Sequence, residues 1–254
     1  MVVAVIVQGI LWVWAFGYLD RHGWPTFGEG LVNPYLGHLA FHSITYPLAV
    51  MLTPVLFSWL SGGLSRATVR GLFDAFPNVL LSLPVVALGF KACLEGWIGR
   101  VTFSAELPVW LLILQGALYL VLADLAFYMS HRALHLRPLY RFHVVHHTHR
   151  APTESIAFFA LSATETFVSG LFTLFVPVLI LPIHVGVWAA GASMILLGSC
   201  FIHDRGSLAR SPWFLSNGPA GHQIHHGRGR RNVNFGLLFT TWDRVFGTYA
   251  APRE

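Results

Sequence analysis

The chain has 254 residues, 55% hydrophobic and 11% charged, with a formal net charge of +5 and a mean hydropathy of +0.60. A soluble globular domain is about a quarter charged, so an ordinary cytosolic domain is excluded, and the apolar content excludes a disordered chain. The two cysteines, Cys93 and Cys200, both lie in apolar stretches and cannot form a C-x-x-C redox pair, a thiol zinc site or a disulfide scaffold.

Crossing a hydrocarbon core takes about 20 apolar residues. Runs near Val2 to Leu19, Leu39 to Leu60, Leu72 to Leu94, Leu107 to Met129, Phe167 to Leu181 and Val185 to Ile202 are the expected spans. The first is read as a retained span rather than a cleaved signal. The last two are short and flank Pro182, which predicts a tight hairpin. The expected fold is an all-α, polytopic transmembrane helical domain over residues 1–254, with a cytoplasmic histidine-rich helical cap and no separate soluble domain. Orientation follows from arginine, which is in excess in cytoplasmic loops. Arg66 and Arg70, then Arg132, Arg137, Arg141 and Arg150, then Arg205, Arg210, Arg228, Arg230, Arg231, Arg244 and Arg253 fall on one side by span counting, whereas the other side receives Arg21 and Arg100, with Lys91 near a span end. The positive charge therefore reads as topology and contact with anionic headgroups. With no continuous basic domain, nucleic acid is not an expected partner.

Fourteen histidines are the surplus of this composition, and most are clustered. After Asp124 and Tyr128 come His131 and His135, spaced i, i+4 so that they stack on one helix face. His143, His146 and His147 follow as H-x-x-H-H, and His222, His225 and His226 repeat that spacing, with a lone His203 after the last span. Nine imidazoles at one membrane face exceed the four to six ligands that one ion accepts, so two metal ions are the economical reading. Solvated interfacial histidines or a structural zinc site would be the plain alternative. Burying so many titratable groups beside a bilayer without a ligand is costly.

These residues resemble the fatty acid hydroxylase/sterol desaturase superfamily of membrane histidine-rich di-metal oxygenases. The match runs over 124–249, the expected catalytic region. It takes in Tyr128, His131, Arg132 and His135, both triplets with Gly221 before the second, Asn234-x-Gly236, and Trp242-Asp243-Arg244-x-Phe246-Gly247-Thr248. The resemblance implies two non-haem irons, dioxygen as cosubstrate, an external electron donor and a lipid-like substrate. It carries the metal ligands onto His131, His135, His143, His146, His147, His203, His222, His225 and His226. Two features depart from the pattern. Ser207 stands where some relatives have a histidine four residues after the position of His203, so one metal is expected to lack a ligand or to recruit water. The stretch Ala160 to Glu165 retains only the glutamate of an Arg-x-His-Pro-x-Glu sequence, which weakens transfer of substrate identity.

An unactivated C–H bond resists acids and bases, so its oxidation needs a metal that activates dioxygen. An all-histidine ligand set brings no negative charge, and carboxylates accepting the outer ring N–H of a ligand would help. Asp124, Glu165, Asp204 and Asp243 are the candidates, each also readable as a capping or structural group. His149 could replace the missing ligand, with interfacial hydrogen bonding as the plainer role. His38 and His42 fall at the far end of the second span, and His22 and His184 read as loop or hairpin residues. The leading expectation is O2-dependent hydroxylation of a lipid or other hydrophobic substrate. The alternative is a desaturase acting on a lipid or sterol-like substrate at the same centre, and a non-enzymatic metal transporter is the third class. Zinc can replace iron in purified protein, since it lies above Fe(II) in affinity. With no flavin, nicotinamide, iron–sulfur or haem motif, a separate cytochrome or ferredoxin with its reductase is expected to dock on Arg228, Arg230 and Arg231. Substrate is expected through a tunnel lined by residues such as Leu118, Leu122, Leu125, Ile195 and Leu197. The location is expected to be a bacterial inner membrane rather than the endoplasmic reticulum, with a cytoplasmic active site.

Overall fold

A computed structural model describes residues 52, 54–56, 58, 59, 65, 66, 69–77, 89, 92, 93, 96–102, 107–150, 153–204, 218–227 and 232–252. The first expected span and most of the second and third lie outside these residues. So do Ser207, His22, His38, His42 and the arginines at 205, 210, 228, 230, 231 and 253. Regular structure is almost entirely helical. Among the described residues the strands are β1 (Val101–Thr102) and β2 (Ile183–His184), paired in parallel with Val101 beside Ile183.

Helix α1 (Val109–Leu134) begins after Pro108 and runs for 26 residues. It is apolar on nearly every side, as suits a helix bordered by lipid. Trp110, Ile113, Leu114, Leu118, Val121 and Met129 all remain exposed on it. The helix continues five residues past the expected end at Met129, so its last turns carry His131 and place His135 at the C-cap. A tight turn then closes, with the Leu136 N–H donating to Ala133 O at 2.9 Å, and Pro138 cannot extend the helix. The short helix α2 (Tyr140–His143) and a 3-10 turn, His146–Thr148, follow.

A second 3-10 turn, Ser155–Phe159, leads to α3 (Ala163–Ile180). Ser162 caps α3, its Oγ accepting from the Glu165 N–H at 3.1 Å. The start lies four residues before the expected Phe167, because the cap rather than the apolar run sets it. A wider π-helical turn spans Thr166–Leu171. After Pro182, α4 (Val185–Ile202) occupies the expected sixth span. His184 caps it, with Nδ1 accepting from the Gly186 N–H at 3.1 Å.

These three helices are long and apolar enough to cross a membrane. Of the apolar windows, 56% is buried in α4 against 22% in α1, and α1 packs against both α3 and α4. Gly191 of α4 lies against the Tyr119 ring so closely that an added Cβ would stand under 3.0 Å from it. The Tyr119 hydroxyl and the Trp188 indole N–H both donate to Leu174 O, at 3.3 and 3.2 Å, because a buried donor in hydrocarbon has no water to turn to. Tyr119, Ala123, Ile195, Leu197, Cys200, Phe201 and Leu237 share one core. Helices α5 (Gly218–His225) and α6 (Thr241–Val245) complete a cap over the end where α1 and α4 finish and α3 starts. Of the expected tunnel residues, Ile195 and Leu197 are in the core, Leu122 and Leu125 are half-buried, and Leu118 is exposed.

Candidate metal centre

The nine clustered histidines meet in two groups. His131, His135, His143, His147 and His225 form one, and His146, His203, His222 and His226 the other, with the ligand atoms of each group within 4.8 Å of one another. All are buried except His135, which is half-buried. The triplets do not map one to a group. His143 and His147 join the five-membered group while His146 crosses to the other, and His222 and His226 join the four-membered group while His225 crosses back. Helical geometry explains the division. Residues i and i+4 point about 40° apart, whereas i+3 points about 60° to the other side.

Outer ring nitrogens are held by acceptors from the surrounding chain. Nδ1–H of His131 donates to Phe235 O at 2.9 Å, that of His146 to Ala157 O at 3.1 Å, and that of His203 to Ser199 O at 2.7 Å. His225 reaches Val233 O at 2.8 Å and His226 reaches His149 O at 2.9 Å. His143 donates instead to a carboxylate, Glu165 Oε1, at 2.6 Å. A neutral imidazole that donates through Nδ1 has a bare lone pair on Nε2. Yet Nε2 of His131 and His143 stand 3.2 Å apart, and Nε2 of His203 and His146 stand 3.3 Å apart. Burial, with neighbouring imidazoles adding to it, holds His143, His146, His222, His225 and His226 well below the usual histidine range, and burial pushes His203 down to about 4. With Nδ1–H of both His146 and His203 donating to carbonyls, the Nε2 lone pairs of that pair face one another.

A cation resolves that repulsion. Metal–nitrogen bonds of about 2.0–2.1 Å separate neighbouring donors by roughly 2.8–3.4 Å, from octahedral to tetrahedral geometry. The Nε2 pairs His131/His143, His135/His147, His146/His203, His203/His222 and His222/His226 lie at 3.0–3.3 Å. Nε2 of His225 is buried without a hydrogen-bond partner. The donor set fits a metal in each group.

Only Glu165 of the four candidate carboxylates is hydrogen-bonded to a clustered histidine ring. Asp124 Oδ1 accepts the N–H of Leu237 and Leu238 at 3.1 and 2.6 Å. Asp243 accepts those of Phe235 and Gly236 at 2.9 and 2.8 Å, together with the Thr248 hydroxyl at 2.7 Å. Both brace the loop whose Phe235 carbonyl holds His131. Asp204 is buried next to His203 in the chain. His149 belongs to neither group, and its Nε2 lies 3.4 Å from Asp74 Oδ2. The sequence reading missed the loop carbonyls, which have no side-chain signature, and also Thr153 and Gln223. Those two exchange hydrogen bonds at 3.0 and 2.8 Å, while the Thr153 hydroxyl donates to His203 O at 3.0 Å, tying α5 to the end of α4.

A membrane-embedded helical bundle carrying a buried, paired histidine centre defines the class. The sequence model of the family described as Fatty acid hydroxylase matches residues 116–248, and the chain belongs to that family. It is similar to a Delta(7)-sterol 5(6)-desaturase ERG3A of Gibberella zeae, 34% identical over 58% of this chain and 40% of the relative. It is 30% identical to a lathosterol oxidase of Rattus norvegicus over 68% of this chain and 57% of the relative. A methylsterol monooxygenase erg25B of Aspergillus fumigatus is 30% identical over 57% of this chain and 50% of its own length. The chain thus spans about two fifths to just over half of these relatives. No solved structure matches it.

Proposed function

We propose that this protein is a membrane oxidoreductase that oxidises a sterol-like lipid with dioxygen at a centre of two metal ions held by His131, His135, His143, His147 and His225 and by His146, His203, His222 and His226. The observation that carries this reading is the approach of ring Nε2 atoms to 3.0–3.3 Å of one another inside two buried histidine groups. When bound, two irons would supply the redox chemistry that an unactivated C–H bond requires. The chain's own residues orient that chemistry. Six outer ring nitrogens are fixed by one carboxylate and five carbonyls, and the surrounding burial keeps bulk water away. Residues 124–249 are the catalytic region on this reading.

Between the two outcomes, the relatives favour the desaturase alternative over the hydroxylation expected first. Desaturation would take two hydrogens from adjacent carbons, and dioxygen would leave as two waters with two electrons from a separate cytochrome or ferredoxin and its reductase and two protons from solvent. Hydroxylation is the second reading, favoured by the methylsterol monooxygenase relative. The arginine distribution supports a cytoplasmic position for the histidine cap. The eukaryotic relatives lend no support to a bacterial inner membrane. Mass analysis of lipids from cells with and without the protein decides the outcome: a sterol-like product 2 Da lighter supports desaturation, and one 16 Da heavier supports hydroxylation. Absence of any oxidised lipid under aerobic conditions with a competent donor would overturn both.

A further inference from the structure

Asn234 is the one described non-glycine residue with a left-handed backbone, at φ 55°, and it is fully buried. Asparagine tolerates that region better than most side chains. Its amide is saturated with backbone. Nδ2 donates to Gly221 O at 3.0 Å and to Ala250 O at 2.9 Å, and Oδ1 accepts from the Ala250 N–H at 2.8 Å. Its own N–H donates to Thr248 O at 2.9 Å. What matters is the identity of the adjoining carbonyls. Val233 O, on one side, receives Nδ1–H of His225, and Phe235 O, on the other, receives Nδ1–H of His131. Gly221, which Asn234 also grips, directly precedes His222.

We propose that Asn234 is a positioning residue for the metal centre: its left-handed backbone and its amide bonds set two carbonyls that aim His131 and His225 into the five-histidine group. The inference rests on the metal-centre reading above. His131 and His225 come from α1 and α5, and their rings stand 4.6 Å apart between centroids. No hydrogen bond links the two rings directly, so their relative orientation is inherited from the 233–235 backbone. Asp243 holds the same loop from outside through the Phe235 and Gly236 N–H groups. Asn234 holds it from within.

The test uses the full chain loaded with Co(II), whose absorption reports donor geometry. Asn234→Gly keeps the left-handed φ but deletes all three amide bonds. Asn234→Asp keeps the Oδ1 acceptor and loses both N–H donors. Val178→Ala, a buried change at the far end of α3, is the control for stability alone. A lost outer-sphere contact of a metal ligand weakens binding about 10–100-fold. Both Asn234 variants loosen the carbonyls that make such contacts, so they should alter the cobalt spectrum and release the ion to a chelator faster by up to that factor, while Val178→Ala does neither. Wild-type spectrum and release rate in either folded Asn234 variant would overturn the proposal. Failure of both to fold under conditions where Val178→Ala folds would assign Asn234 to the fold alone and overturn it equally. A wild-type chain that binds no cobalt would instead sink the metal-centre reading itself.

Discussion

The Glu165–His143 contact offers a sharp test, because Glu165 is the only carboxyl side chain hydrogen-bonded to a histidine of either group among the described residues. Both side chains are almost fully enclosed, at 4% and 1% exposed, with 2.6 Å between Oε1 and Nδ1. Glu165→Ala leaves a buried N–H without an acceptor, which costs about 1–3 kcal/mol. Loss of such an acceptor behind a metal-binding histidine weakens metal affinity by about 10–100-fold, or roughly 1.4–2.7 kcal/mol, separately from that cost in folding stability. Glu165→Gln keeps a neutral oxygen for His143. Charge-assisted hydrogen bonds are about twice as strong as neutral ones, so Gln should forfeit about half the free energy, a weakening of roughly 3–10-fold. Competition against a chromophoric chelator in detergent at neutral pH reads the series directly. The expected order is wild type, then Gln, then Ala. Wild-type affinity in Glu165→Ala would refute an orienting role for the carboxylate.

Substituting His146 or His225 with Ala removes a donor from the four- and the five-membered group respectively, and each should lower bound metal and abolish turnover while α1, α3 and α4 still insert. Metal analysis with protease protection checks this, and full activity in either variant counts against the ligand assignment. The buried imidazoles predict acid lability with a definite sign: they are neutral when folded, while the unfolded chain takes up protons below about pH 6.5. Their contribution is thus complete above about 6.5 and is lost as pH falls towards 4, the value to which His203 is pushed. Metal retention and thermal midpoint should decline together across that window, and retention unchanged at its acid end would contradict the burial argument. Gly191→Ala should destabilise the bundle by about 1–3 kcal/mol through overpacking against Tyr119. A lowered thermal midpoint in detergent reports it, and an unchanged midpoint would show that the ring can give way.

The sequence made the α1, α3 and α4 spans legible because hydropathy over some twenty residues is a strong signal. It blurred their ends, because Ser162 and the polar last turns of α1 set those boundaries through capping and histidine placement. All nine clustered histidines were visible as candidates, since repeated i, i+3, i+4 spacing survives without any knowledge of the fold. Their division was not visible: a reading that puts each triplet on one face misses that His146 and His225 point away from their neighbours and cross to the opposite group. Glu165 could be named as a candidate carboxylate, but nothing in the chain marks it above Asp124 or Asp243. Its choice of His143 depends on where α3 begins relative to α2. The carbonyls of Ala157, Ser199, Val233 and Phe235 carry no residue-type signal at all, because any amino acid supplies one.

The crossed triplets also fix when the centre can come into being. The five-membered group needs His225 and the four-membered group needs His222 and His226, so neither is complete until α5 has been made. By then α1, α3 and α4 have already been synthesised, and the six clustered histidines that come before α5 are without their last partners. On the metal-centre reading, metal capture would accordingly follow synthesis of the three spans. Because residues 143–147 and residues 222–226 each donate to both groups, placing α5 against the 143–147 segment supplies the missing donors of the two together.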